Sequence, residues 1–134
     1  MSNQYTLADD KLVVFVAGEK YTFSVAGLSE MEMRKSKRNR ALTLIAMIIL
    51  ELEFAHGGPT PTQEAILNKV IDLGGTLSPT SVSMINRNIQ ALIDDEYVML
   101  RADNDRPKRG RGGPAWPWYT RYAGRVLRQS LSAA

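Results

Sequence analysis

SPTSVSMINRNIQALIDDEYV, residues 78–98, is the stretch that decides how the rest of the chain has to be arranged. Its apolar residues recur at steps of three and four, the spacing that places them on one side of an α-helix. The Ser-Pro pair at its start is typical of a helix N-terminus, and we predict a helix over residues 79–95. The apolar stripe consists of Val82, Ile85, Ile89, Leu92 and Ile93.

The opposite side of this helix has an unusual composition for a surface that meets only water. It carries short hydrogen-bonding groups, one thioether and one guanidinium, and no acid follows until Asp94. Donors and acceptors without negative charge suit the base edges and phosphates of a DNA major groove. An ordinary solvated face is the alternative. The residues predicted to face the groove are Thr80, Ser83, Met84, Arg87 and Asn88.

Length and composition predict one globular domain with a real core. A chain of 134 residues has the size of a single domain, and such a chain buries roughly two-thirds of its unfolded surface. It has no Cys and only one His, His56, which excludes disulfides and thiolate zinc sites. Little remains for a catalytic triad or a His-based metal site, so we expect a protein that is not an enzyme and has no cofactor.

The hydrophobic patterning predicts a cytoplasmic protein, associated with the nucleoid, rather than a membrane protein. The longest apolar run, residues 41–50, is about half as long as a bilayer span and is predicted to be a buried core helix. The first ten residues are polar and end in two acids, unlike a signal peptide. No dedicated ligand-binding domain is evident, so no small-molecule ligand is expected.

Positive charge is concentrated in two segments, although the formal net charge is only +3. One segment extends from Arg101 to the end of the chain, and the other covers residues 34–40. The second segment can contact phosphates beside the groove, form a solvated helix surface, or pair with acids on a partner. The candidates for secondary phosphate contacts are Arg121 of the first segment and, in the second, Arg34, Lys35, Lys37, Arg38 and Arg40.

The remaining elements are predicted from turn and capping signals. Residues 1–28 are assigned to an N-terminal β-hairpin that packs on the helical body or on a second subunit, and residues 29–134 to a helical domain. One long helix is predicted over 29–55, where Ser29 and Glu32 have capping-box spacing. A shorter helix begins at Thr60 and stops at Gly74. Strands over 97–100 and 115–119 and a last helix over 121–131 complete the chain.

The segment RPKRGRGGP, residues 106–114, lies between the last two predicted strands. Two arginines on either side of one glycine can spread along a narrow minor groove, as in an AT-hook, although glycine replaces the usual proline after the second arginine. A solvated basic loop is the alternative. The candidate wing contacts to the minor groove or the phosphates are Arg106, Lys108, Arg109, Gly110 and Arg111.

Residues 81–98, SVSMINRNIQALIDDEYV, and residues 118–127, WYTRYAGRVL, together resemble the recognition helix, first wing strand and closing segment of MarR/PadR-type winged-helix regulators. The likeness covers about residues 40–130. It implies an α+β, mainly α fold, a winged helix-turn-helix with an additional N-terminal β-hairpin. Two departures are the hairpin itself and Glu96, which stands where the family usually has Gly.

The leading hypothesis is therefore a homodimeric transcriptional regulator that binds double-stranded DNA selectively, with residues 79–95 in the major groove and the wing, residues 103–113, on the minor groove or backbone. An architectural nucleoid, plasmid or phage DNA-organising protein is a second reading. A winged-helix protein–protein module with an acidic partner is a third. Trp116 and Trp118 fit stacking on unpaired bases or packing on the helix.

Overall fold

Helix α2 (Arg38–Ala55) lies at the centre of the molecule, and every side chain from Ala41 to Leu52 is buried. The computed structural model describes residues 4–78, 81–101 and 117–123. Within these residues the protein is an α+β structure of four α-helices and two antiparallel sheets. The prediction of a buried core helix is confirmed. No helix in this part of the chain is long and apolar enough to cross a bilayer.

The N-terminal element is a three-stranded antiparallel sheet rather than the predicted hairpin. Strands β1 (Tyr5–Ala8), β2 (Lys11–Val16) and β3 (Glu19–Ser24) follow one another in space as in sequence. Alternation along β2 turns Leu12, Val14 and Val16 into the core that they share with α2. Strand β1 corresponds to the short strand that residues 5–7 indicate before the Asp9-Asp10 turn, although its four residues carry few β-branched side chains.

Asp10, in the turn between β1 and β2, caps the first helix from a distance. Its carboxylate accepts hydrogen bonds from the Ser29 amide at 2.7 Å and the Gly27 amide at 3.3 Å, and these bonds lower the pKa of the carboxyl. The Ser29 hydroxyl in turn accepts from the Asp10 amide at 2.9 Å. The predicted capping box is therefore wrong: Asp10 satisfies the first amides of α1 (Leu28–Met33), and Glu32 accepts from the Tyr5 hydroxyl.

The single long helix predicted over residues 29–55 is also broken. Arg34 has an extended backbone, with φ −82° and ψ 118°, and a short 3₁₀ turn, Lys35–Lys37, leads into α2. Residues 34–40 carry five cations, which would repel one another in a continuous helix, and they leave no apolar side to bury. Packing therefore does not hold the chain helical between α1 and α2. The break lets α1 fold back against α2.

Helices α3 (Gln63–Asp72) and α4 (Val82–Asp94) follow, both shifted from their predicted starts. The N-cap of α3 is Thr62, whose hydroxyl accepts from the Ala65 amide at 3.0 Å, rather than Thr60. The N-cap of α4 is Ser81, so this helix begins three residues later than predicted. Pro79 and Thr80 lie outside the described residues.

Three helices end with the same hydrogen-bonded motif and a left-handed residue. In each, a backbone amide beyond the helix donates to the carbonyl five residues earlier. The pairs are Gly58 to Glu53 after α2, Gly75 to Val70 after α3, and Tyr97 to Leu92 after α4. Gly57 and Gly74 hold the left-handed positions of the first two, at φ 91° and 99°. Glu96 holds the third at φ 66°, so the departure from the family pattern is accommodated by a strained glutamate.

A two-stranded sheet closes the described chain. Strand β4 (Val98–Leu100) pairs antiparallel with β5 (Trp118–Thr120), and Val98 lies opposite Thr120. The second strand starts later than the predicted residue 115, and the Pro117 carbonyl accepts from the Arg101 amide at 2.7 Å just before it. Trp118 is partly buried against the core, which favours the packing alternative for this side chain. Residues 124–131 of the predicted last helix lie outside the described residues.

A buried carboxyl joins this sheet to α2. Glu51 is 1% exposed, and its oxygens accept from the Thr120 amide at 2.8 Å and the Thr120 hydroxyl at 2.5 Å. Burial raises the pKa of Glu51 to about 8, although both Thr120 bonds and the charge of Arg101 act in the opposite direction. Loss of solvation outweighs these contacts because the side chain is almost completely buried.

We expect Glu96→Gly to raise the free energy of unfolding by about 1 kcal/mol, because glycine adopts the left-handed conformation without the steric cost that Cβ imposes. Urea unfolding followed by circular dichroism measures the change. Asp95→Gly is the control: Asp95 has φ −90°, and glycine there should lower stability. A Glu96→Gly protein no more stable than the parent would show that the position carries no strain.

Glu51 makes stability depend on pH. Its pKa is about 8 in the folded state, against 4.5 for an ordinary carboxyl. The stability that protonated Glu51 contributes is therefore fully present below pH 4.5 and is lost as the pH rises through 8. The free energy of unfolding should fall by no more than about 1.4 kcal/mol per pH unit. Glu51→Gln should remove this decline. Urea unfolding from pH 5 to 9 tests it, with exposed Glu64→Gln as control; equal slopes in the parent and Glu51→Gln would contradict the assignment.

Candidate nucleic-acid interface

Helix α4 separates its apolar and polar residues as the sequence predicts, with one exception. Ile85, Ile89 and Leu92 are buried in the core, and Val82 and Ile93 pack partly against it. The exposed side begins at Ser83 and runs along the helix without a carboxylate until Asp94. Its members are Ser83, Met84, Asn86, Arg87 and Gln90. We call these five residues the polar face of α4.

Asn88 is the exception, and its predicted place on the outer face of the helix is wrong. Its side chain is only 9% exposed, and Nδ2 donates to the Thr43 hydroxyl of α2 at 3.2 Å. The same hydroxyl donates to the Asn39 carbonyl at 2.7 Å. Asn88 lies one turn beyond Ile85 and one residue before Ile89, which turns it inward. It is a satisfied buried amide that fixes α4 on α2.

Two amides that the sequence reading left out take its place on the surface. Asn86 and Gln90 are exposed, and they lie three and seven residues after Ser83, on one side of the helix. Gln63 at the start of α3 donates through Nε2 to Asn86 Oδ1. Gln90 Nε2 donates to Asp94 Oδ1 at 3.1 Å. The sequence predicts both amides on the exposed side when helical positions are counted from Ser83 rather than from the apolar stripe.

Arg87 is the only cation on the polar face. It is exposed, and Nη1 lies 4.0 Å from the sulfur of Met84, which is 39% exposed. The thioether is a weak acceptor, so it orients the guanidinium without neutralising it. The guanidinium keeps donors for an acceptor outside the protein.

The turn before α4 is tied to the start of α2. The Asn39 amide makes two hydrogen bonds to Thr76: Nδ2 donates to the hydroxyl at 3.0 Å, and Oδ1 accepts from the backbone amide at 3.2 Å. Leu77, the residue after Thr76, packs partly against the core. Asn39 of α2 holds the turn before α4, and Asn88 of α4 bonds to α2 from within the helix. The two asparagines thus fix α4 on α2 at two places.

The predicted secondary phosphate contacts do not form one cluster. Arg34 pairs with Glu30 at 2.6 Å, and Lys37 lines a cavity of about 160 Å³ that also includes Asp95 and Tyr97. Lys35, Arg38 and Arg121 are exposed, and Arg40 is half-buried. Arg38 alone approaches the turn before α4, where Nη2 would lie 3.8 Å from a Cβ placed on Gly74. The helix is interrupted at Arg34, and this interruption explains why the cations of residues 34–40 separate.

Of the predicted wing, residues 103–113, and its two flanking strands, the structure describes only the strands. Arg106, Lys108, Arg109, Gly110 and Arg111 all lie outside the described residues, as does Trp116. Arg101, part of the basic segment, is 7% exposed; its guanidinium lies 4.8 Å above the Tyr119 ring, and Nε donates to the Trp118 carbonyl at 3.4 Å. This cation therefore supports the sheet from inside rather than adding to the basic surface.

His56 has a partner that sequence reasoning did not find. The Tyr21 hydroxyl of β3 lies 2.6 Å from its Nε2, which joins the end of α2 to the sheet. Among the residues that the structure describes, no three His, Cys, Asp or Glu side chains are grouped as metal ligands would be.

Asn88→Ala should lower the free energy of unfolding by about 1 to 3 kcal/mol, because it removes a buried hydrogen bond and leaves the Thr43 hydroxyl with one partner fewer. Urea unfolding measures the loss. Gln90→Ala, on the exposed side of the same helix, should change stability by less than about 0.5 kcal/mol. If Asn88→Ala kept full stability, the amide would not be the inward-facing anchor described above.

No family model, no curated protein and no solved structure matches this chain. The functional argument therefore depends on the geometry and chemistry of its own residues.

Proposed function

We propose that the protein is a winged helix-turn-helix transcriptional regulator that binds double-stranded DNA with sequence preference. The observation that carries the proposal is the polar face of α4, a row of donors and acceptors without a carboxylate on a helix anchored from behind. The order α2, α3, α4, β4, β5 is the order of a winged helix-turn-helix domain. A helix of this kind fits the width of a major groove.

Roles follow from the side chains that point outward. Arg87 is the candidate for guanine, where a guanidinium can donate twice to O6 and N7. Asn86 and Gln90 are candidates for adenine, whose N6 and N7 match a primary amide. Ser83 and Met84 lie closer to the start of the helix and suit a phosphate and a thymine methyl group. Asn88 has no part in the reading and supports the helix.

Affinity must come largely from outside α4, because Arg87 is its only cation. The arginines of the wing, residues 106–111, are the source that the sequence offers. Neutralising about six phosphates would make the logarithm of the binding constant fall with that of salt concentration at a slope of about −5. We propose a homodimer, since two copies of one helix read a palindromic site. Helix α1 or the end of the chain would supply its interface, because Ala41 to Leu52 of α2 are buried within the subunit.

Arg87→Ala should relax selectivity more than it weakens binding in general. Losing a bidentate contact to guanine costs about 1 to 3 kcal/mol at the preferred site and little on random DNA. Selection of bound sequences from a random duplex pool, at near-physiological salt and with the oligomer mass measured in parallel, identifies the site. Titration of the selected and scrambled duplexes then gives the two affinities.

Arg109→Ala with Arg111→Ala is the matched comparison. This double variant should weaken both duplexes alike and reduce the salt slope, because phosphate contacts carry little sequence information. Equal losses on both duplexes for Arg87→Ala would contradict its role. A pool that yields no preferred sequence, with footprints that spread as protein is added, would favour the architectural reading. No duplex binding at low salt would favour a protein partner.

A further inference from the structure

The outer face of the N-terminal sheet is built as an interaction surface of its own. Strand register sets its side chains in three rows across β1, β2 and β3, on the side opposite Leu12 and Val14. The middle row is Thr6, Val13 and Thr22; Ala8, Lys11 and Ser24 form one flanking row, and Gln4, Phe15 and Lys20 the other. Hydroxyls, one aromatic ring and two ammonium groups therefore share this face, and none of these side chains is a carboxylate.

Phe15 is the most conspicuous residue of this face, because 56% of its side chain is exposed. Burying an aromatic ring is strongly favourable, so a ring left this open is available for a partner. Lys20 lies directly opposite it on β3. Lys11 lies four residues away along β2, about 13 Å at the usual rise of a strand. The ring is thus combined with cations spaced further apart than one small ligand would need.

A cavity opens beside Phe15, between the sheet and the end of α2. It has a volume of about 440 Å³, and Gln4, Glu53, His56 and Pro59 line it together with Phe15. The Tyr21 hydroxyl fixes the imidazole of His56, and Lys69 lies 3.3 Å from Gln4 Oε1 and 3.5 Å from Glu53 Oε2. The volume is within the range of small-ligand sites, and the polar groups can bind the edge of a planar heterocycle.

We propose that this face binds a single strand of nucleic acid, with a base stacked on Phe15 beside the cavity and backbone phosphates held by Lys11 and Lys20. Stacking requires an open π-face, which the paired bases inside a duplex do not offer. Lys11 and Lys20 lie on a face without carboxylates, so their ammonium groups can bind the backbone phosphates of the strand. A second copy of the same face would bring ammonium groups against ammonium groups, so charge favours a polyanion over self-association.

This inference does not rest on the proposed duplex binding, because none of its residues belongs to α4 or to the wing. The test measures binding of a fluorescein-labelled oligothymidylate of about twelve nucleotides, at near-physiological salt, by fluorescence anisotropy. Phe15→Ala and Phe15→Leu should weaken binding by about 5- to 150-fold, the factor for losing one stacked base. Phe15→Trp should retain it. Lys11→Gln with Lys20→Gln should reduce the salt dependence.

Leucine and tryptophan separate stacking from mere apolar contact, since both are large and apolar but only tryptophan has a π-face. Met33→Ala removes another exposed apolar side chain, 85% exposed on α1, and should leave binding unchanged. Thermal unfolding and affinity for the selected duplex should be the same in all Phe15 variants. Loss of selectivity between duplexes with Arg87→Ala, and loss of single-strand binding with Phe15→Ala, are then independent readouts.

Three results would overturn the proposal. The parent protein could fail to bind the oligothymidylate, or Phe15→Leu could bind it as well as Phe15→Trp does. Phe15→Ala could instead convert a dimer into a monomer in sedimentation measurements without affecting oligothymidylate binding, which would assign the face to a second copy of the chain.

Discussion

The structure depends on the complete burial of α2. An ordinary surface helix has one apolar side, but twelve consecutive residues here, from Ala41 to Leu52, are all buried. Each direction around the helix must therefore be covered by another element. The N-terminal sheet, α1, α3, α4 and β5 all pack on it. The sheet is thus a necessary cover for one side of α2 rather than an appendage.

Polar contacts decide how these covers are oriented, because apolar burial alone is not directional. Asn39 holds the turn before α4, Asn88 reaches across to Thr43 on α2, and Glu51 holds β5. All of them involve α2, so the central helix also sets the direction in which the polar face of α4 points. A candidate reading surface is positioned here by buried hydrogen bonds rather than by the residues that would touch DNA.

The sequence predicts elements well where one physical rule dominates. The burial of residues 41–50 follows from a hydrophobic run that only Thr43 interrupts, and the apolar stripe of α4 follows from helical spacing. The glycines after α2 and α3 mark helix ends for the same local reason. Prediction fails where a distant group replaces a local one. The α1 cap comes from Asp10 in another turn, and no capping rule for neighbouring residues can find it.

The candidate site shows the same division. Ser83, Met84 and Arg87 are exposed as helical spacing predicts, but Asn88 was assigned to the surface by its chemistry rather than by its position. An amide suits an adenine edge and a buried hydrogen bond equally well, and only Thr43, forty-five residues away, decides between them. The surface proposed for base stacking is not evident from the sequence, because strand register, not sequence order, brings Phe15 beside Lys20.

The carboxyl of Glu51 has a consequence for the heat of folding. Between the ordinary carboxyl pKa and about 8, the native protein holds a proton that the unfolded chain releases. Folding in this range is therefore also a protonation reaction, and the buffer supplies the proton. The enthalpy of unfolding measured by calorimetry at one pH should accordingly differ between buffers by their heats of ionisation. Such a dependence would reveal the buried acid without any substitution in the chain.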